Sequence, residues 1–446
     1  MNKNELDLKA LQYHAEPTPG KFGVVSTKKC ATQQDLSYAY TPGVAKPCLE
    51  IKDDPGKVWE YTSRGNMVAV VSDGTAVLGL GNIGPEAGIP VMEGKCVLFK
   101  RFADIDAVPL CLCKVFREDG RTDADKLIAA VEHLEPSFGG INLEDIGGPA
   151  CFKVETQLKK KMGIPVFHDD QHGTAIISMA AIINALKLTG KKIENCKFVI
   201  NGAGAAGISC SEFYITAGAK RENFLMCDSK GVIHTGREDL SPEKRRFARE
   251  TNARTLAEAL VEADIFLGFS VGNILTKEMV RTMAKDPIIF AMANPTPEIF
   301  PADAWEAGAA VVGTGRTDFP NQINNVLGFP GIFRGALDVR AKDINEDMKL
   351  AASLALAELA CEPVPEMVKK QLAIAYAEDA KRGMFDGDCP LANTYVIPKP
   401  FDIRVVPRVA RYVAEAAMKS GVAQLAIKNL DEYEKSVFKR INPELF

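Results

Sequence analysis

Short apolar runs that stop abruptly at polar or glycine-rich turns recur along this chain. Helical patterns separate them, and that alternation constrains the fold to parallel α/β. The first series is NMVAVVSDGTAVLGLG (66–81), AVPLCLCKV (107–115), GGINLEDIGG (139–148) and IPVFHDD (164–170), with the helical pattern RTDADKLIAAVEHLEPSF over 121–138. A second series follows: KFVINGAG, NFLMCDSKG, ADIFLGFS, PIIFAMANP and AAVVGTG. Between them HGTAIISMAAIINALKLTGKK (172–192) is apolar on most faces and stops at Gly190, the pattern of a buried helix linking two domains. Residues 342–382 read as helical, and the tail from 398 reads as helices closing the structure. With 446 residues the chain is too long for one simple core.

Bulk properties exclude several function classes. A formal net charge of -4 leaves no basic footprint for nucleic acid. No apolar run is long enough for a bilayer, and the opening MNKNELDLKALQYH lacks the apolar region of a secretory signal. The 11 cysteines are scattered without a CxxC pair. Cys111 and Cys113 fall on one face of a strand-like run and read as small buried hydrophobes rather than ligands. Free thiols of this kind point to a reducing compartment, the cytoplasm.

Two acidic pairs carry the first chemical signal. Glu144-Asp145 and Asp169-Asp170 each sit where an apolar run ends. In a parallel sheet the carboxyl ends of the strands share one edge, where ligands bind. Like charges repel at that edge and resist burial without a positive partner. Three or four carboxylate oxygens suit a hard divalent cation, Mg²⁺ or Mn²⁺. Either pair alone reads as a helix cap or a solvated turn; the two together favour the cation. A rival reading takes His168 and His172 as zinc ligands, but their spacing fits only if both lie on one helix.

FVINGAGAAG places Gly202, Gly204 and Gly207 in GxGxxG spacing after a strand pattern and before a helical one. With the intervening Ala203, Ala205 and Ala206 it forms a candidate pyrophosphate turn. Asp228 follows at the distance expected of a ribose ligand, which favours NAD, while nearby Lys230 favours a 2′-phosphate and thus NADP. Lys95 enters the run CVLFK in a segment that resembles a phosphate-binding loop but has the wrong glycine spacing. It reads either as a surface lysine at a strand start or as a general base whose pKa is lowered by desolvation and a nearby cation. Tyr40, before Thr41-Pro42-Gly43, reads as a rigidly held acid or a packed ring. Asn294, Asn324 and Asn325 lie at strand or turn ends, where amides bind carboxylates or nicotinamide but more often simply make turns.

Taken together, YTPGVAKPC, SDGTAVLGLGNIGPEAGIPVMEGK, INLEDIGGPACF, PVFHDDQHGTAI, INGAGAAG, ANPTPEIFP and NNVLGFPGIFRGALD resemble the malic enzymes in order and spacing, from about residue 15 to 425. The short bacterial-type form is the nearest likeness. The resemblance implies an N-terminal α/β substrate and catalytic domain over 1–171, a Rossmann-type NAD(P)-binding domain over 172–385, and a helical segment over 386–446 packing back on the N-terminal part. It implies oxidative decarboxylation of (S)-malate to pyruvate and CO₂ with NAD or NADP, Mg²⁺ or Mn²⁺ as cofactor, and oxaloacetate decarboxylation beside it. The metal ligands implied are Glu144, Asp145 and Asp170. Lys95 is the implied base, with Asp169 beside it, and Tyr40 the implied acid. Asn294 and one of Asn324 or Asn325 are implied malate-binding amides, and a homodimer or higher homo-oligomer is expected. Larger family members carry an arginine where this chain has Ala76 in SDGTAVLG, so that contact is missing. The competing expectation is a metal-dependent oxaloacetate decarboxylase with a vestigial dinucleotide site.

Overall fold

The computed structural model describes residues 3–445. The first apolar series becomes a parallel sheet of four strands in the order β2-β1-β3-β4: β1 (Met67–Ser72), β2 (Asp106–Cys111), β3 (Gly140–Leu143) and β4 (Val166–His168). Val68 pairs with Ala107 on one side and Gly140 on the other, so β1 is central. Its run MVAVVS is apolar without alternation because helices cover both faces. The second series becomes a sheet of six strands in the order β10-β9-β8-β5-β6-β7: β5 (Phe198–Asn201), β6 (Phe224–Asp228), β7 (Gly231–Val232), β8 (Ile265–Gly268), β9 (Ile288–Ala291) and β10 (Val311–Thr314). Only the short edge strand β7 is antiparallel.

The segment holding Lys95 is not a strand start. Residues Pro85–Ala103 form one helix of 19 residues, entered through Pro85 and closed by Asp104 in a left-handed conformation (φ 50). Gly88, Met92, Cys96, Phe99 and Ala103 are buried on one face. That three-to-four spacing overrides the strand-like look of CVLFK. Cys111 closes β2, whereas Cys113 lies beyond it and is exposed.

The linking helix spans Asp169–Thr189 and ends on Gly190 (φ 67), as its pattern requires. Fourteen of its residues are buried, so it acts as a central post. Asn184 Nδ2 donates to the carbonyls of Ala357 (2.8 Å) and Val396 (2.9 Å), tying it to later helices. One continuous core joins Val68, Phe99 and Phe167 of the first sheet to Phe198 and Phe224 of the second. Helix Phe329–Asp338 lays Phe329 against Phe99, with ring centroids 4.7 Å apart. Helix Val405–Lys419 closes on it so tightly that a Cβ on Gly335 would sit 2.5 Å from the Ala410 carbonyl. Arg440 then reaches Asp104 (2.9 Å), returning the tail to the first sheet. Among the described residues no helix is long and apolar enough to cross a membrane.

Candidate active site

The strand order places a switch point between β1 and β3, and the crevice beyond their carboxyl ends is where an α/β sheet binds ligands. Glu144 and Asp145 leave β3 into that crevice, while Asp169 and Asp170 leave β4 as the first turn of the long helix. Carboxylate oxygens of Glu144, Asp145 and Asp170 lie within 4.8 Å of one another. Asp145 is left-handed (φ 55), a conformation an aspartate tolerates better than most residues. Its N–H donates to Asp170 Oδ2 (2.7 Å) and its carbonyl accepts from Ala76 N (3.0 Å), so backbone bonds lock three loops together here.

Lys95 supplies the positive charge that these acids need. Its Nζ lies 2.6 Å from Asp169 Oδ2 and 2.8 Å from Glu144 Oε1, over the Phe329 ring at 4.3 Å. Burial disfavours the ammonium, but the charges of Asp169 and Glu144 outweigh burial and the lysine pKa is raised. Two carboxylates within bonding distance count for more than desolvation, whereas a cation held beside the lysine would push its pKa the other way, the direction expected from the sequence. Burial also pushes the Glu144 carboxyl well above the usual carboxylate range; Lys95 opposes that, and Asp170, Asp169 and Asp145 add to it. One ammonium against four carboxylates leaves the cluster short of positive charge. An all-oxygen set of three converging carboxylates fits Mg²⁺ or Mn²⁺.

Asp169 is fully buried, and its Oδ1 has no hydrogen-bond partner. Asn325 Nδ2 donates to its Oδ2 (3.2 Å) and to its backbone carbonyl (3.3 Å). Gly173, one turn along the helix, makes this possible. A Cβ there would lie 2.1 Å from Asp169 Oδ1 and 2.8 Å from Asn325 Nδ2. Gly173→Ala is expected to displace both side chains. Expected losses are about 1–3 kcal/mol of stability, as for overpacking, and most of the activity, read by thermal melting and steady-state rates. Unchanged rates would show that Asp169 tolerates the shift.

The histidines do not form a zinc site. His172 Nε2 donates to Glu155 (2.8 Å) and Nδ1 accepts from Lys349 Nζ (3.1 Å), which uses both nitrogens. Burial, the largest influence, lowers the His172 pKa. His168 ends β4, 1% exposed, with neither ring nitrogen hydrogen-bonded.

At the second sheet the glycine turn runs from β5 into helix Ala205–Thr216, with Gly204 at its N-cap. Ala203 lies in the turn, and Ala205 and Ala206 open the helix. A Cβ on Gly202 (φ 120) would meet the Phe269 carbonyl at 2.6 Å, and one on Gly207 the Gly202 carbonyl at 2.0 Å. Gly204 faces open space, where a Cβ would obstruct a ligand rather than the protein. The turn therefore fits a pyrophosphate at a helix N-terminus. Asp228 ends β6. Its Oδ1 accepts from Arg237 Nη1 (2.8 Å) and Lys230 N (3.0 Å), and its Oδ2 from Arg237 Nη2 (3.0 Å) and Lys244 Nζ (2.9 Å). Burial would raise its pKa, but the bonds from Arg237 and Lys244 bring it down to about 2.

Asn294 is exposed just past β9, its carbonyl 3.2 Å from where a Cβ on Gly79 would lie, so the loops beyond β1 and β9 meet. Asn324 instead caps its own short turn by accepting from Val326 N (3.0 Å). Of that pair, Asn325 is the one brought to Lys95 and Asp169. Tyr40 is 69% exposed on the N-terminal arm, and among the described residues no contact joins it to Lys95 or the acidic cluster. Sequence reasoning passed over Gly173, Arg237 and Lys244; the basic run GREDLSPEKRR after Asp228 was the available signal for the last two. It also passed over Glu298, buried without exposure, which accepts from Ser270 N (3.0 Å) and Ala293 N (3.1 Å) and braces the loops after β8 and β9.

Comparison with known proteins agrees with this architecture. Residues 19–159 match a family model described as malic enzyme, N-terminal domain, and residues 171–371 one described as malic enzyme, NAD binding domain. An NADP-dependent malic enzyme of Haemophilus influenzae is 54% identical over 95% of this chain and 54% of its own length. A bifunctional malic/malolactic enzyme of Bacillus subtilis is 52% identical over 96% of this chain and 97% of its own. The chain thus spans about half the length of the first of these relatives and nearly all of the second. The crystal structure of a malic enzyme from Pyrococcus horikoshii superposes with a TM-score of 0.85 at 41% identity, covering 99% of this chain and 97% of that one.

Proposed function

The chain belongs to the malic enzyme family, and from that premise we propose that it oxidatively decarboxylates (S)-malate to pyruvate and CO₂, reducing NADP⁺ in preference to NAD⁺. The observation that carries this reading is Lys95 Nζ held between Asp169 and Glu144 at the edge of a three-carboxylate cluster. Glu144, Asp145 and Asp170 would hold Mg²⁺ or Mn²⁺, and the turn from Gly202 to Gly207 would hold the dinucleotide. When bound, the cation supplies Lewis acidity toward substrate oxygens and the dinucleotide accepts the hydride.

The chain's own groups then manage protons and position. Lys95 Nζ first passes a proton to Asp169 Oδ2, 2.6 Å away, and as a neutral amine then takes the proton of the C2 hydroxyl. Asp169 is suited to this because its Oδ1 is buried without a partner. Asn325 fixes the Asp169 carboxylate and, with Asn294, offers amides to the substrate. Tyr40 returns a proton to C3 after CO₂ has left. The same groups serve oxaloacetate, which needs only the second half of the sequence. A dedicated decarboxylase with a vestigial nucleotide site is not favoured, because the tight turn at Gly202 and Gly207 is kept and Gly204 still faces open space where a pyrophosphate would lie. Nucleotide reduction followed by absorbance, with malate, Mn²⁺ and each nucleotide in turn, tests the reading; no malate-dependent reduction would refute it. The free thiols support a cytoplasmic setting.

The preference for NADP⁺ rests on Asp228. Its four acceptor positions are filled by Arg237, Lys244 and the Lys230 amide, leaving none for a ribose 2′-OH. Arg237, Lys230 and Lys244 against Asp228 and Asp239 leave one net positive charge at this edge. Lys244→Gln is expected to raise the KM for NADP⁺ by roughly 10–100-fold, the worth of a charged hydrogen bond, with the KM for NAD⁺ nearly unchanged. Equal changes for both nucleotides would assign Lys244 to structure alone.

A further inference from the structure

Glu298 sits in the loop after β9 with no exposure to solvent. Burying a carboxylate is costly, and the usual remedy is a basic partner. Among the described residues no lysine or arginine pairs with it. Lys277 lines the same hollow, but its Nζ is taken by Asp303 (2.9 Å) and Glu306 (2.8 Å). Backbone holds the carboxylate instead: Oε1 accepts from Ser270 N (3.0 Å) and Oε2 from Ala293 N (3.1 Å). Each oxygen takes an N–H, the pattern of an ionised group. Burial raises its pKa, and those two bonds oppose the rise.

Crowding sets the position of this charge. A Cβ on Gly268, the last residue of β8, would lie 2.2 Å from Glu298 Cδ, so the carboxyl packs directly against the end of that strand. Ser270 follows two residues later, and its Oγ accepts from Asn201 Nδ2 (2.6 Å) at the end of β5. Ala293 directly precedes Asn294. One carboxylate therefore joins the loops after β8 and β9 and, through Ser270, reaches the glycine turn. The strand order β10-β9-β8-β5-β6-β7 decides what lies above it. Asp228, the adenosine-side residue, ends β6, and the pyrophosphate turn follows β5. A dinucleotide laid across this crevice from β6 over β5 brings its nicotinamide half to β8 and β9.

We propose that Glu298 is a positioning residue for the nicotinamide ring, and that its negative charge favours the oxidised ring over the reduced one. The ring carries a positive charge in NADP⁺ and none in NADPH. A fixed carboxylate in a site shielded from water attracts the first far more than the second. The bond that places the charge also holds Ala293, so Asn294 and the charge keep one geometry. This rests on the dinucleotide part of the malate reading and goes beyond it, because it assigns the discrimination between two redox forms to one side chain.

Binding in the absence of malate tests it, with no turnover to interfere. The Kd of NADPH is read from its fluorescence and that of NADP⁺ by calorimetry. Glu298→Gln keeps the shape and removes the charge. Its Kd for NADP⁺ is expected to rise roughly tenfold more than its Kd for NADPH, the size of one charge acting across a protein interior. That change moves the potential of the bound two-electron couple upward by about 30 mV. Equal weakening of both nucleotides, or none, overturns the proposal and leaves Glu298 a brace for the loops. Glu298→Asp keeps the charge on a shorter arm and gives a second reading should Glu298→Gln not fold. Both affinities are expected to fall together there, with their ratio within about twofold of wild type. A ratio that holds supports the role of charge, and one that moves by roughly tenfold overturns it. A wild-type chain that binds neither nucleotide overturns the dinucleotide reading and this proposal together, whereas wild-type binding of both with an unmoved ratio in Glu298→Gln overturns this proposal alone.

Discussion

Lys95→Ala is expected to lower kcat for malate oxidation by roughly 10²–10⁴-fold, the usual contribution of a positioned base. The amine lies 2.6 Å from Asp169 and 2.8 Å from Glu144, and its side chain is 11% exposed. Removing it leaves two buried carboxylates facing each other without their counter-charge, so one of them takes up a proton. The fold is expected to survive. The buried face of this helix is Met92, Cys96, Phe99 and Ala103, and it does not depend on Lys95. Dinucleotide affinity, measured by calorimetry, is expected to stay near wild type, since the glycine turn belongs to the other sheet. Lys95→Arg is expected to rescue nothing, because a guanidinium stays charged and cannot accept the proton. A Lys95→Ala chain that oxidised malate at wild-type rates would remove the base from this lysine.

Asp170→Asn is expected to weaken Mn²⁺ binding by at least about 100-fold, since even groups that only orient ligands cost 10–100-fold. Two effects add. The substitution takes one charge from the three-carboxylate set, and it alters the acceptor of the Asp145 N–H at 2.7 Å. Asp145 holds a left-handed backbone there, so its own carboxylate is expected to shift as well. Titration of Mn²⁺ followed by electron paramagnetic resonance reads the affinity without turnover. Chelation of the wild-type protein is expected to abolish malate oxidation, with recovery on adding Mn²⁺ or Mg²⁺. Tight Mn²⁺ binding by the Asp170→Asn chain would move the cation away from this cluster.

Much of this protein was legible in its sequence, for identifiable reasons. Of the nine strands of the two parallel series, eight fall inside the runs quoted for them and β2 starts one residue earlier, at Asp106, because a strand buried on both faces must be apolar without interruption and must end where a polar turn begins. The glycine turn was legible because backbone crowding at Gly202 and Gly207 admits no side chain. The segment around Lys95 was misread because a buried helix and a buried strand both present short apolar runs; only the spacing of Gly88, Met92, Cys96, Phe99 and Ala103 separates them.

The sequence by itself determined the two sheets, the acidic pairs at strand ends and the glycine turn that follows the first strand of the second sheet, because each depends on residues close together in the chain. Tertiary structure alone decided what those groups face. It set Lys95 between carboxylates drawn from two other strand ends, which gives its ammonium two counter-charges. It filled the acceptor positions of Asp228 with Arg237 and Lys244, and it left Tyr40 exposed on the N-terminal arm. Charge, burial and hydrogen bonding are summed over neighbours in space, and no local pattern records which neighbours those are.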